Sequence, residues 1–270
     1  MKRVSIGLFL CLALLLGLSA PAPAADSSPV LSRIVDKGEL RVGMSGAQPP
    51  FSVMSKDGQL IGYEVDLANA LAGAMGVELK IVQKPFGQLL SALEAGEVDV
   101  VMSGMTITPA RNLKAAFVGP YVLSGKSILT KDKTLAAIEE AGQIDKASIT
   151  LTALENSTSQ KFVETLMPNA KLVTTADYDT AVKMVLEDKA TALVADYPIC
   201  ALSVLRHQDQ GLVTLTEPLT IEPIGIAIAP GDSLLLNMVE NYLGTLQSMG
   251  LLDQLEAKWF QDGSWLIQVP

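Results

Sequence analysis

The feature that most constrains the fold is an alternation of short apolar strands with helical segments, which occurs twice along the chain. In the first half, strands are predicted at 39–45, 77–83 and 98–103, and helices at 65–75 and 87–95. Strands joined by crossover helices form parallel sheets, whose ligands bind beyond the carboxyl ends of the strands. The pattern therefore predicts an α/β fold with a ligand cleft at one edge of a sheet.

The second half repeats this pattern from about Gly125. Its predicted strands are 124–131, 147–153, 171–175 and 191–197, and its predicted helices are 135–141, 159–166 and 179–186. No flexible linker separates the two halves. We therefore expect two lobes of similar size that close on a ligand, each a mostly parallel sheet flanked by helices.

The N-terminal residues are typical of a secretory signal peptide. Lys2 and Arg3 precede an apolar run at 4–18 and a tail of small residues. Cleavage after residue 24 would start the mature chain at Ala25. A retained membrane anchor is the alternative, disfavoured because the run is short. A lipid anchor is less favoured still, because Cys11 lies inside the apolar run. We expect a periplasmic protein.

Composition excludes several classes of function. Removing Lys2 and Arg3 leaves 18 basic against 29 acidic residues, which disfavours nucleic acid as a partner. Cys200 is then the remaining cysteine, predicted as a buried thiol in an apolar helix, so an intrachain disulfide is not expected. The lone histidine, His207, argues against a histidine-rich metal site and a Ser-His-Asp triad. We expect neither cofactor nor metal.

The stretch DVVMSGMTITPAR, Asp99 to Arg111, suggests a site for a small carboxylate. Gly104 allows a close approach of backbone to ligand, and Thr106 offers a hydroxyl. Arg111 supplies a planar fork that holds one carboxylate with two hydrogen bonds. In the alternative interpretation Pro109 begins a helix whose Arg111 is solvated.

Other polar or aromatic residues follow the ends of the neighbouring strands. Ser45 to Gln48 follow the first strand, Phe86 follows the second, and Ser103 to Thr106 follow the third. Because the carboxyl ends of parallel strands share one edge of the sheet, we expect these residues to line one cleft.

The motifs in this order resemble those of the amino-acid-binding family of periplasmic solute-binding proteins that feed ABC importers. The resemblance rests on GxxPPF at Gly46 to Phe51, DGQLIGYEVDLANAL at Asp57 to Leu71, the Asp99–Arg111 stretch, FVGPY at Phe117 to Tyr121, and GLLDQLEAKWF at Gly250 to Phe260. It spans roughly Val30 to Phe260.

The resemblance implies a type II periplasmic binding fold with two chain crossings between its lobes. Lobe 1 would comprise 25–123 and 223–270, with re-entry near Pro223, and lobe 2 would comprise 124–222. The two crossings would form a hinge. A monomer that presents its closed form to a membrane permease is the expected mode of action.

The resemblance also implies roles for individual residues. Arg111 would hold the ligand α-carboxylate beside Thr106, and the Gly104 carbonyl would accept from the α-ammonium. Asp196 would pair with that ammonium from the other lobe. Thr158, at a helix start, would give its amide to the carboxylate. Helix capping is the alternative role for Asp196 and for Thr158.

The sequence departs from the family at several pocket positions. Gln48 stands where an aromatic residue is common, and Ser45 where binders of basic amino acids often carry an acid. Asn156-Ser157 replaces the usual Gly-Thr. Phe86 is the remaining aromatic candidate in a polar, neutral wall. A cationic ligand is disfavoured, unless Glu155 faces inward and answers its charge.

Periplasmic cyclohexadienyl dehydratases share this fold, and the segment at 143–162 resembles theirs equally well. Such an enzyme needs an acid facing the substrate ring. The resemblance places a glutamate where this chain has Ile199, which disfavours catalysis unless Glu155 substitutes. Prephenate, a dicarboxylate, is expected to bind poorly because no cation would compensate Asp196. An extracellular sensor module is a third, weaker alternative.

Overall fold

The computed structural model describes residues 28–269, so the predicted signal peptide lies outside the described residues. Within 28–269, helices are too short or too polar to cross a membrane. The elements are, in chain order, α1 Pro29–Lys37, β1 Glu39–Met44, β2 Ala47–Gln48, β3 Ser52–Met54, β4 Leu60–Ile61, α2 Tyr63–Met75, β5 Glu78–Gln83, α3 Leu89–Glu94, β6 Val100–Val101, α4 Pro109–Asn112, β7 Ala116–Ser124, β8 Lys126–Thr130, β9 Thr150–Leu154, α5 Thr158–Leu166, β10 Lys171–Thr175, α6 Tyr178–Leu186, β11 Ala192–Asp196, α7 Tyr197–Arg206, β12 Val213–Thr214, β13 Glu222–Ile228, α8 Ser233–Ser248 and α9 Leu251–Glu256.

Two five-stranded sheets organise the molecule, in the orders β5-β1-β6-β13-β7 and β10-β9-β11-β8-β12. We call the units built on them lobe 1 and lobe 2. In lobe 1, β5, β1 and β6 run parallel, β13 runs antiparallel to β6, and β7, which pairs antiparallel with β13, runs in the same direction as the first three. Lobe 2 has the same arrangement: β10, β9 and β11 run parallel, β8 runs antiparallel to β11, and β12 pairs antiparallel with β8. The predicted parallel core is present, and the reversed strand in each sheet, β13 or β8, is the one that follows a chain crossing.

The chain passes between the sheets at Gly125 and again at 215–221. The two crossings touch, because a Cβ on Gly125 would lie 2.0 Å from the backbone oxygen of Thr220. Any larger residue at 125 would push the two crossings apart. The strands on either side of this contact are paired, Glu222 opposite Ser124 in lobe 1 and Asp196 opposite Lys126 in lobe 2.

Most predicted elements are present, but the helix predicted at 135–141 is wrong. The structure has short 3-10 turns there, at Leu135–Ala137 and Ala141–Ile144, with Ile138 extended between them. An isolated segment of this length is a marginal helix, and the two turns let Leu135 and Ile138 pack separately on the core of lobe 2. Cys200 is fully buried in α7, as expected, and burial raises the pKa of its thiol to about 12.

Candidate functional site

Three polar residues at the carboxyl ends of the lobe 1 strands form one hydrogen-bonded group. The Gln48 side-chain oxygen accepts from the Ser103 hydroxyl at 2.5 Å and from the Ser45 hydroxyl at 2.8 Å. The Ser103 hydroxyl in turn accepts from the Ser45 backbone amide at 3.0 Å. Gln48 and Ser103 are buried. These contacts fix the orientation of Gln48 and make this wall of the cleft polar.

Gly104 lies next in the chain, in the left-handed region at φ 56°. Its amide donates to the carboxylate of Glu64 at 2.7 Å, and the Tyr121 hydroxyl hydrogen-bonds the same oxygen. Glu64 is fully buried, and burial raises its pKa from 4.5 to about 7. Sequence reasoning missed this anchor. Its signal was an acid one helical turn from Leu67, on the apolar face of α2.

Arg111 is held over the cleft by the backbone of the same stretch. It lies in α4, where the Thr108 hydroxyl caps the helix by accepting from the Arg111 amide at 3.2 Å. Its guanidinium donates to the Thr106 carbonyl at 2.8 Å and lies 5.5 Å from the centre of the Phe86 ring. Burial lowers the pKa of Arg111, while the negative charge of Asp196 opposes that shift. A freely solvated Arg111 does not fit this geometry.

In lobe 2 the capping role belongs to Ser157 rather than to Thr158. The Ser157 hydroxyl accepts from the Gln160 amide at 3.1 Å and donates to the Leu154 carbonyl at 2.6 Å, so it is committed to the start of α5. The Thr158 hydroxyl instead accepts from Lys126 Nζ at 2.7 Å. The hydroxyl of Thr158 thus faces the cleft and not its own helix.

Asp196 occupies the cap position of α7 without capping that helix through its side chain. Its Oδ1 accepts from Lys126 Nζ at 2.5 Å, and the residue is 6% exposed. The helix-cap interpretation of Asp196 therefore does not hold.

Lys126 is the main residue that sequence reasoning missed. It is 1% exposed, and its Nζ lies between Asp196, Thr158 and, at 3.5 Å, the carboxylate of Glu222. The signal was a lysine that opens the apolar strand KSILT. The expectation that Asp196 has no compensating cation is wrong, because the β8–β11 pairing sets Lys126 directly opposite it.

The two lobes contact each other across the cleft. The hydroxyls of Thr106 and Thr158 are 3.3 Å apart. Gln48 hydrogen-bonds Tyr178 of lobe 2, whose pKa is raised well above its usual value by burial. A continuous polar chain therefore runs from Arg111 through Thr106, Thr158 and Lys126 to Asp196.

The two positions considered for a catalytic acid, 155 and 199, lie outside this polar chain. Glu155 is exposed, so it is not part of the polar chain, and Ile199 is buried in α7. The carboxyl groups that do face Lys126 are those of Asp196 and Glu222. Within 28–269, His, Cys, Asp and Glu side chains do not cluster in threes as a metal site would require.

Comparison with known proteins places this geometry in a family. Residues 40–262 match the bacterial extracellular solute-binding proteins, family 3. The L-cystine-binding protein TcyJ of Escherichia coli strain K12 is 28% identical over 254 residues, which are 93% of this chain and 92% of TcyJ. The cyclohexadienyl dehydratase of Pseudomonas aeruginosa is 28% identical over 251 residues, with 93% and 92% covered.

A solved structure of an amino acid-binding protein has the same fold. The ancestral amino acid-binding protein AncCDT-1, a precursor of cyclohexadienyl dehydratase, superimposes with a TM-score of 0.79 at 35% identity over 86% of this chain and 99% of its own. Two lobes joined by two crossings, with an arginine and a carboxylate facing each other across the cleft, define a type II solute-binding protein. The chain belongs to the bacterial extracellular solute-binding proteins of family 3.

Proposed function

We propose that this protein captures an amino acid between its lobes in the periplasm and delivers it to the permease of an ABC importer. The observation that carries the proposal is the polar chain that links Arg111 of lobe 1 to Asp196 of lobe 2. An α-amino acid carries a carboxylate and an ammonium, so it can form ion pairs with Arg111 and Asp196, the two ends of this chain. The amino-acid-binding relatives agree with this ligand class.

Each predicted residue has a role in the proposal. Arg111 and the backbone of Thr106 hold the α-carboxylate, and the start of α5 at Thr158 contributes its amide. The Gly104 carbonyl and Asp196 receive the α-ammonium. Gln48, Ser45 and Ser103 form the polar wall around the ligand side chain, and Phe86 the apolar one. The Ser157 hydroxyl serves the helix cap, so Ser157 contributes through its backbone.

The mechanism is closure of lobe 1, which comprises 28–124 and 222–269 of the described residues, on lobe 2, at 126–214. A ligand that contacts both lobes favours the closed state by its differential affinity for that state. The permease would recognise the closed shape of a monomer that the signal peptide has directed to the periplasm.

A thermal-shift panel of the twenty amino acids, followed by calorimetry on the positives, tests this function. A ligand present at a hundred times its dissociation constant stabilises the folded state by about 2.7 kcal/mol. We expect one chemically related group of amino acids to raise the melting temperature. No shift with any amino acid at millimolar concentration would contradict the proposal.

The dehydratase relative makes catalysis a second candidate function. Asp196 and Glu222 are the acids beside Lys126, whereas Ile199 offers no proton. Incubation with prephenate and arogenate, with detection of phenylpyruvate and phenylalanine, separates the two functions. We expect no product above the spontaneous rate. Turnover that disappears in Glu222→Gln would establish the enzyme instead.

A further inference from the structure

Lys126 supplies a counter-ion for Asp196 from the protein itself, independently of any ligand. Its ammonium contacts Asp196 Oδ1 at 2.5 Å, and the side chain is 1% exposed, so the pair is shielded from water. Glu222 adds a second carboxylate at 3.5 Å and Arg111 adds a second cation on the opposite lobe. The four side chains therefore sum to zero formal charge.

This pairing changes what Asp196 requires of a ligand. In some clefts a buried aspartate forms an ion pair only with the α-ammonium of the ligand. A ligand without that group then leaves the carboxylate unpaired in the closed cleft, which is strongly unfavourable. Here Lys126 remains paired with Asp196 when the ligand has no ammonium. The same cation also repels an α-ammonium placed beside Asp196, which reduces the advantage of an amino acid.

We propose that Lys126 is a specificity-determining residue that opens this cleft to small 2-oxo and 2-hydroxy carboxylates in addition to amino acids. The proposal rests on the proposed function, since it assigns the same cleft and the same carboxylate site at Arg111. The oxo or hydroxyl oxygen would occupy the place of the ammonium. Of the three N–H groups of Lys126, Thr158 and Asp196 engage two, so the third, at the long 3.5 Å contact with Glu222, can donate to the ligand oxygen. The negative charge of the ligand would be held by Arg111 as before.

Matched pairs of ligands test the proposal on the wild-type protein. Calorimetry would compare alanine with pyruvate, leucine with 4-methyl-2-oxopentanoate, phenylalanine with phenylpyruvate and glutamate with 2-oxoglutarate. For the pair that binds best, we expect the two dissociation constants to agree within about tenfold. An amino acid that binds while its oxo acid binds more than about tenfold weaker overturns the role of Lys126 and leaves the proposed function standing. Failure of every oxo acid together with all twenty amino acids of the thermal-shift panel overturns both.

The variant Lys126→Met then assigns the effect to one side chain. In this variant Asp196 can form an ion pair only with a ligand ammonium, so the preference for the amino acid over its oxo acid should rise at least tenfold. Lys131→Met is the matched control, because Lys131 is also a lobe 2 lysine paired with an aspartate, Asp188, at 2.6 Å. An unchanged preference in folded Lys126→Met would overturn the proposal. If that variant does not fold, the wild-type ratios decide the question alone.

Discussion

Gly87 of lobe 1 and Asn156 of lobe 2 lie so close together that a Cβ on Gly87 would be 2.6 Å from the side-chain nitrogen Nδ2 of Asn156. Gly87 belongs to the 3-10 turn Phe86–Gln88, and Asn156 adopts φ 59° in the turn between β9 and α5. Both turns border the cleft, at the lobe edges that come together. With the lobes in contact in this way, a side chain at position 87 requires the Asn156 side chain to move.

Gly87→Ala should weaken ligand binding by disfavouring this closed arrangement. The Asn156 side chain can move, so we expect about 1 kcal/mol, or roughly fivefold in affinity, by calorimetry. Adding Asn156→Gly should restore affinity, since glycine accepts the positive φ and removes the clash. Gly73→Ala is the control, because nothing lies within 4 Å of its added Cβ. Equal affinity of Gly87→Ala and wild type would show that closure does not bring these turns together.

Arg111→Ala should abolish measurable binding while the protein stays folded. Losing a buried charge-assisted contact costs on the order of 2–5 kcal/mol, and Arg111→Lys should also bind poorly because an ammonium cannot reproduce the fork. Lys114→Ala, an exposed cation three residues further on, is the matched control. Near-normal affinity in Arg111→Ala by calorimetry would mean that the carboxylate site lies elsewhere.

Asp196→Asn should separate ligands by whether they carry an α-ammonium. The asparagine oxygen can still accept from Lys126, but it offers no negative charge to the ligand. We expect the affinity for an amino acid to fall at least tenfold, and that for its 2-oxo analogue to change much less. Asp188→Asn, which removes an exposed carboxylate from an ion pair in the same lobe, should change neither. Equal losses for both ligands would place the ammonium site away from Asp196.

Glu64 should make stability fall as the pH rises from about 4.5 to about 7. Its folded-state pKa of about 7 exceeds the ordinary value of 4.5, so between these values the folded protein binds a proton that the unfolded chain has released. Stability from this group is complete below about pH 4.5, declines up to about pH 7 and is constant above it. The total corresponds to about 3 kcal/mol.

Glu64→Gln should remove this contribution, because glutamine is neutral throughout. Relative to wild type, its free energy of unfolding should rise by about that amount between pH 4.5 and pH 8, measured by urea denaturation. Glu94→Gln, at an exposed position in α3, should instead run parallel to wild type. A Glu64→Gln profile parallel to wild type would show that Glu64 is ionised in the folded protein over this whole range.

The sequence was sufficient for the features that depend on neighbouring residues. Pro109 begins α4, because the fixed φ of proline acts locally. The order of strands and helices likewise follows from short periodic patterns. The position of Arg111 at the end of DVVMSGMTITPAR was readable for the same reason, since α4 and the preceding strand lie within a few residues of it.

Only the tertiary structure decided the electrostatics of the cleft. Lys126 and Asp196 are 70 positions apart in the sequence and meet through the antiparallel register of β8 and β11. Glu64 reaches the Gly104 amide from a helix 40 positions earlier. Composition and periodicity fix which face of an element is buried, but not which residue of a distant element stands opposite. A buried charge is stable only with such a partner, so the identity of that partner determines what the site can bind.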